Sequence, residues 1–178
     1  MGIPTLISTA TASNAASVDI TSGIDSTYDE YMFVCTDIHP RTDGIDFQFQ
    51  VNVAGASGFN ETMTTTVFDG KHTEADDTPT FEYSVGQDQA QGTAFQNLGN
   101  AWDNDADSNG VVILHLFSPS DTTYVTHFYA RTNHVKDGAA SQLAFTAGYI
   151  NATGAVDEIS FKMSSGNLDG VIQMYGIA

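Results

Sequence analysis

The stretch Ile45 to Val53 reads IDFQFQVNV and alternates strictly between apolar and polar side chains. Residues two apart in an extended chain point to the same face, so Phe47, Phe49 and Val51 line one side of this segment and the polar residues line the other. This pattern predicts a half-buried β-strand.

Nine further segments show strand patterns in the sequence. Glu30 to Ile38 is apolar on both faces, which predicts a strand at the centre of the fold. The other eight segments are Leu6 to Thr11, Thr62 to Phe68, Thr80 to Val85, Val111 to Phe117, Thr123 to Ala130, Gln142 to Asn151, Glu158 to Met163 and Val171 to Tyr175.

The spacing of these segments indicates the fold class. They recur roughly every 8 to 14 residues and are separated by clusters of Gly, Asn, Asp and Ser, as in antiparallel sandwiches and barrels. The sequence therefore predicts an all-β protein, an antiparallel jelly-roll-like β-sandwich of about 8–10 strands. Helical spacing occurs only over Ala94 to Trp102, where Phe95, Leu98 and Trp102 fall at i, i+3 and i+7, and it predicts at most one short helix.

The chain of 178 residues fits one domain of this kind. The first residues differ from the rest because Ala10 to Ser17 is small and polar, a composition that suits a segment lying on a neighbouring molecule. We therefore expect residues 1–17 to form an N-terminal docking arm and residues 18–178 to form a single β-sandwich domain.

The charge of the chain narrows the range of partners. It carries 22 Asp and Glu against 5 Lys and Arg, for a formal net charge of −17. Binding to nucleic acid or to an anionic membrane requires a basic surface, and five scattered cations do not form one. We expect neither partner.

One acidic segment has the composition of a calcium loop. Asp103, Asp105, Asp107 and Asn109 alternate along the segment before Gly110 and present the hard oxygens that Ca²⁺ prefers. An EF-hand loop would need Gly at its sixth position and Glu at its twelfth, where this chain has Ser108 and Leu114. A solvated turn is the favoured interpretation, and Ca²⁺ is the one cofactor for which the sequence offers a candidate site.

Histidine and cysteine give weaker indications of chemistry. His115 and His127 would lie opposite each other if Ser118 to Thr122 closes a hairpin, but zinc needs three or four ligands and no Cys or His-rich motif supplies the others. The single cysteine, Cys35, falls within an apolar run and is expected to be buried and inert.

Motifs of catalysis are missing from the sequence. It has no G-x-S-x-G elbow, no S-x-x-K motif and no P-loop, so we expect no enzymatic activity and rank a glycan hydrolase last among the possible functions. Trp102 lies beside the acidic loop, and an exposed aromatic ring next to oxygen-rich side chains makes it the candidate platform for stacking a sugar. The seven tyrosines are expected to pack within the sheets.

Several short segments, which are distributed over nearly the whole chain, resemble those of a known group of proteins. They are Thr21 to Tyr31, Ile38 to Pro40, Gln91 to Thr93, Leu114 to Pro119, Ala147 to Tyr149, Phe161 to Asn167 and Tyr175 to Ile177. In these the chain resembles virion structural proteins of marine tailed phages and cyanophages. None of the segments has a catalytic meaning, so the resemblance transfers no functional residue.

The resemblance implies a component of the virion, assembled in the host cytoplasm. Our first expectation is a non-enzymatic capsid decoration, cement or knob protein on the head exterior, whose partners are the major capsid protein and copies of itself in a homotrimer. The alternative is a receptor-binding domain of a tail fibre or appendage that recognises host surface polysaccharide through Trp102 and neighbouring loops. The chain lacks the heptads and repeats of a fibre shaft, which disfavours this alternative.

Overall fold

A computed structural model describes residues 2–77 and 79–178, and in these ranges the regular structure consists entirely of strands. The strands are β1 Thr5–Ala15, β2 Val18–Ile20, β3 Glu30–Pro40, β4 Ile45–Val53, β5 Met63–Thr73, β6 Thr80–Tyr83, β7 Ala90–Gly92, β8 Gln96–Trp102, β9 Gly110–Phe117, β10 Thr126–Lys136, β11 Ala140–Ile150, β12 Val156–Met163 and β13 Leu168–Ile177. All pairings are antiparallel, which confirms the predicted all-β fold class.

The strands form a nearly closed, sandwich-like sheet. One layer has the order β1-β13-β3-β9-β10-β11-β5, with β6 and β7 both paired to β5, and the other has the order β8-β4-β12-β2. A single pair, Lys136 of β10 opposite Trp102 of β8, joins the two layers at one side. Each of the ten predicted strands overlaps a strand of the structure.

Aromatic side chains from both layers meet between them. The rings of Phe49 and Phe128 lie 4.9 Å apart edge to face, and those of Phe33 and Phe161 lie 5.8 Å apart. All four are almost fully buried, as the alternation in β4 requires. Cys35 is also buried in this core, and burial raises the pKa of its thiol far above the usual value, so it remains protonated.

The predicted helix at Ala94 to Trp102 is wrong, because residues 96–102 form β8 and pair with β4. Two register shifts in this pairing, one on each side of Phe47, insert extra residues into β8. The bulges replace the period of two by an irregular spacing that resembles a helical one. The other two unpredicted strands, β2 and β7, have three residues each and are too short to show alternation.

The stretch predicted as a docking arm is mostly the edge strand β1, which pairs with β13 along most of its length. Met1 lies outside the described residues. The opposite side of β1 faces no strand, and Ile3, just before it, is 90% exposed. Docking to another molecule through this edge stays a prediction.

Candidate functional site

Trp102 is fully buried, so the prediction of an exposed sugar-stacking platform at this position is wrong. Its ring stacks on His134 at 4.3 Å and 9°, and meets the ring of Phe47 edge to face at 5.5 Å. The reason is the bulged end of β8, which turns the indole inward toward β4 and β10. Gly110 makes room for it, because a Cβ there would collide with the Trp102 ring.

The acidic loop with Asp103, Asp105, Asp107 and Asn109 connects β8 to β9, and its polar groups bond to one another and to neighbouring segments. Asp103 accepts hydrogen bonds from the backbone N–H of Asp105 at 3.0 Å and from the Ser108 hydroxyl at 3.1 Å. Asn109 donates to Asp37 at 3.1 Å. Within residues 2–77 and 79–178 no group of three or more His, Cys, Asp or Glu side chains is arranged to hold a metal ion. The loop has the geometry of the solvated turn.

The five histidines do not come together. The hairpin of β9 and β10 places His115 opposite Tyr129 and His127 opposite Phe117, so the two imidazoles lie on one face but are not direct partners. The Nδ1 atom of His115 contacts the carboxylate of Glu30 on β3. The His115 ring stacks on Tyr129 at 4.7 Å, and the His127 ring lies 5.9 Å from that of Tyr149 at a tilted angle of 52°.

The outer face of the larger layer is the most distinctive surface of the molecule. We define it as the outward side chains of β9, β10, β11 and β5, and call it the apolar outer face. Its apolar and aromatic members are Val111, Ile113, Phe117, Tyr129, Leu143, Phe145, Tyr149 and Phe68. Asp69 is the one carboxylate in these four strands, and it points inward. The apolar outer face therefore bears no carboxylate, in a chain that has 22.

Aromatic contacts continue across the strands of this face. The rings of Phe68 and Phe145 stack at 5.3 Å, Phe81 of β6 meets Phe68 at 5.7 Å, and the guanidinium of Arg131 lies 5.6 Å from the centre of the Phe145 ring. Several members stay open to solvent, with Val111 45% and Tyr129 45% exposed. An exposed apolar patch of this extent is typical of an interaction site.

The outer side of the smaller layer is built differently. There Asp46, Glu158 and Asp19 accept hydrogen bonds from Asn97, Asn52 and Ser160, at 3.2, 2.9 and 2.6 Å. Carboxylates, amides and hydroxyls therefore make up this side, although Asn52 and Ser160 are themselves almost fully buried. The two layers therefore present outer surfaces of different chemistry.

The sequence reasoning did not single out the apolar outer face, although a signal for it exists. Between Gly110 and Val156 the only acidic residues are Asp121 and Asp137, and both lie outside the strands. The sequence predicts Val111 to Phe117 as a strand with apolar residues on both faces, and only one of these faces is covered by the smaller layer.

The comparisons with known proteins add no relative. No protein-family model matches the chain, and no curated protein matches it either. In the described part of the chain there is no helix long and apolar enough to cross a membrane.

Proposed function

We propose that this chain is a non-enzymatic structural protein of a tailed-phage virion, a decoration protein on the exterior of the head that assembles with copies of itself as a homotrimer. The observation that carries the proposal is the apolar outer face, which is built for contact with another protein. The resemblance of the sequence to virion proteins and the all-β fold support it. No described residues are arranged as a metal centre, and the candidate sugar-stacking tryptophan is buried.

The placement of charge supports self-association. Copies that each carry a net charge of −17 repel one another unless they meet through a surface without carboxylates. The apolar outer face is such a surface, and its single cation, Arg131, is held over Phe145. Three copies around a three-fold axis would bury these faces against one another and leave the acidic loops in solvent.

The size of the face fits a contact of this kind. Its four strands lie about 4.8 Å apart and each presents about six residues of roughly 3.4 Å, which gives about 400 Å². Three such faces packed around one axis bury about 1,200 Å² in total, near the lower limit for a specific protein interface. A capsid-bound trimer gains further area from its attachment to the capsid.

The edge strand β1 is our proposed attachment to the major capsid protein. Its backbone groups on the side away from β13 pair with no strand among residues 2–77 and 79–178, so a strand of another protein can extend the sheet there. Ile3 and Leu6, exposed at 90% and 51%, add apolar contacts beside that edge.

Purified virions provide the test. Quantitative mass spectrometry should find the protein at hundreds of copies per particle, and antibody labelling in electron micrographs should decorate the head. A few copies per particle with label at the tail would favour the receptor-binding alternative. Its absence from purified virions would overturn both.

The tail alternative has less support, because Trp102 lies in the core and cannot contact a polysaccharide. The head assignment is therefore the function we retain.

A further inference from the structure

A polar cavity of about 450 Å³ opens beside the end of the larger layer. Its hydrogen-bonding residues come from five strands that are far apart in sequence, and they are Asp69, Lys71, Glu82, Asn100, Lys136 and Gln142. The volume lies in the range of small-molecule sites. The cavity is separate from the apolar outer face, because Asp69, Lys136 and Gln142 point to the opposite side of β5, β10 and β11.

Gln142 is the first sign that the cavity takes a ligand. Its side chain is 2% exposed, and its Oε1 atom has no hydrogen-bond partner among the described residues. An unpaired buried amide oxygen costs free energy, so it is retained where a partner arrives from outside.

The charged groups of the cavity are held in place before any ligand binds. Asp69 is 6% exposed and accepts a hydrogen bond from the Ser84 hydroxyl. The ammonium of Lys136 donates to the backbone and side-chain oxygens of Asn100 at 3.0 and 2.9 Å. An ammonium has three donors, so one N–H of Lys136 is left for a ligand. Burial lowers the pKa of Lys136 from its usual value.

The balance of charges defines the ligand class. Lys71 and Lys136 are two of the five cations in the chain, and Asp69 and Glu82 oppose them in the same cavity. An anion would meet two carboxylates, a cation would meet two ammonium groups, and an apolar molecule would leave these groups unpaired. A neutral molecule rich in hydroxyl groups can donate to the carboxylates and to Gln142 while accepting from the lysines.

We propose that this cavity is a binding site for a neutral saccharide. Tyr83 borders the cavity but lies opposite Phe68 in the pairing of β6 with β5, so its ring is on the outer face and the sugar is held by hydrogen bonds. The site is independent of whether the protein occupies the head or the tail of a virion.

The test is binding of defined sugars to the full chain. A glycan array with neutral, acidic and amino-sugar oligosaccharides is probed first, and glucose, galactose, mannose and N-acetylglucosamine are then titrated at high millimolar concentration while amide NMR shifts are followed. We expect binding to neutral glycans, with shifts at the amides of Ser84, Gln87 and Asn100.

Variants locate the site. Gln142→Leu and Asp69→Asn should each weaken binding of the best neutral glycan at least about tenfold, because each removes a buried partner of a sugar hydroxyl. Gln173→Leu, the same change as Gln142→Leu but on the distant strand β13, should leave it unchanged. Gln142→Leu removes an unpaired polar atom, so it should fold at least as stably as the wild type.

The proposal is overturned by any of three results. The first is the absence of both array binding and amide shifts at the cavity with every neutral sugar. The second is binding confined to acidic or amino sugars. The third is a neutral glycan whose affinity neither Gln142→Leu nor Asp69→Asn changes, since the sugar would then bind elsewhere.

Discussion

Trp102 and His134 are stacked in the core, and each has one ring nitrogen without a hydrogen-bond partner among the described residues. The His134 Nε2–H donates to the backbone oxygen of Asn100 at 3.1 Å, which leaves Nδ1 as the unprotonated nitrogen. Both orphaned atoms lie beside Gly99, where a Cβ would approach Trp102 Nε1 to 2.9 Å. These two rings pack where β8 meets β10, the pairing that joins the two layers. The contribution of each ring to the free energy of unfolding can be measured separately.

Trp102→Ala should destabilise the fold by about 3–5 kcal/mol, because it removes the largest fully buried side chain and leaves a cavity between β4, β8 and β10. Urea unfolding followed by circular dichroism measures the change. Tyr124→Ala is the control, since Tyr124 is 73% exposed and its loss should alter the free energy of unfolding by less than about 0.5 kcal/mol. Equal effects of the two substitutions would contradict the buried position of Trp102.

His134 makes the stability depend on pH. Burial holds the pKa of His134 at about 4 in the folded state, whereas in the unfolded chain it returns to about 6.5. The unfolded state therefore binds the proton first as pH falls, so this contribution to stability is complete above pH 6.5 and is lost between pH 6.5 and pH 4. The loss amounts to about 3 kcal/mol.

The measurement is urea unfolding from pH 7 to pH 4 for the wild type, His134→Gln and His127→Gln. The wild type and His127→Gln should lose stability in parallel, because His127 is exposed on the outer face. His134→Gln should lose about 3 kcal/mol less over this range. Parallel curves for all three proteins would show that His134 does not remain neutral in the folded state.

At the scale of the elements, the close pairing of β11 and β5 depends on Gly148. A Cβ at this position would meet the backbone oxygen of Thr64 at 2.5 Å and the Thr65 Cα at 3.0 Å, and neither backbone atom can move without breaking the pairing. The absence of a side chain is therefore what lets β11 extend to Ile150 against β5.

Gly148→Ala should destabilise the protein by about 2 kcal/mol or more, because the methyl group displaces the paired strand. Its neighbour Ala147 is exposed on the outer face, so Ala147→Ser should change stability by less than about 0.5 kcal/mol. Thermal unfolding of both variants measures the difference. A Gly148→Ala protein as stable as the wild type would mean that the two strands are less closely spaced than the structure has them.

At the scale of the whole molecule, the apolar outer face and the acidic remainder of the surface divide the protein into two sides. A carboxylate placed within the apolar outer face would add a negative charge to the surface through which we propose that like-charged copies meet. Ile113 is suited to this change, because it is 40% exposed and lies beside Arg131 and Val34 in the strand pairing.

Sedimentation of the wild type should give a species of three times 19.0 kDa, and Ile113→Asp should shift the distribution to the 19.0 kDa monomer. Tyr124→Asp adds the same charge at an exposed residue outside the four strands and should leave the trimer intact. A wild type that stays monomeric at high concentration would contradict the self-association. An Ile113→Asp protein that remains fully trimeric would place the contact on another surface.

The ease of prediction differed between the parts of the molecule. Strands such as β4 and β10 were predictable because a half-buried strand imposes a period of two on its own residues, and this period is local. The residues of β8 show a helical spacing because the bulges of this strand are set by its pairing with β4, which is distant in sequence. The same bulges turn the indole of Trp102 inward, so its burial is not visible in the local sequence.

The polar cavity was beyond the reach of sequence reasoning altogether. Asp69, Asn100 and Gln142 follow no shared motif, and each looks like an ordinary polar residue within its own strand. They meet because the pairings of β5 with β11 and of β10 with β8 bring these strands side by side.

By itself the sequence determined that this protein is all-β, antiparallel and strongly acidic, because side-chain alternation and charge are properties of short segments and of composition. Only the tertiary structure decided that Trp102 is buried, that one apolar face remains uncovered and that a balanced polar cavity forms. The physical reason is that burial depends on which layer covers a strand, and in this fold the covering and the cavity-lining residues come from strands far away along the chain.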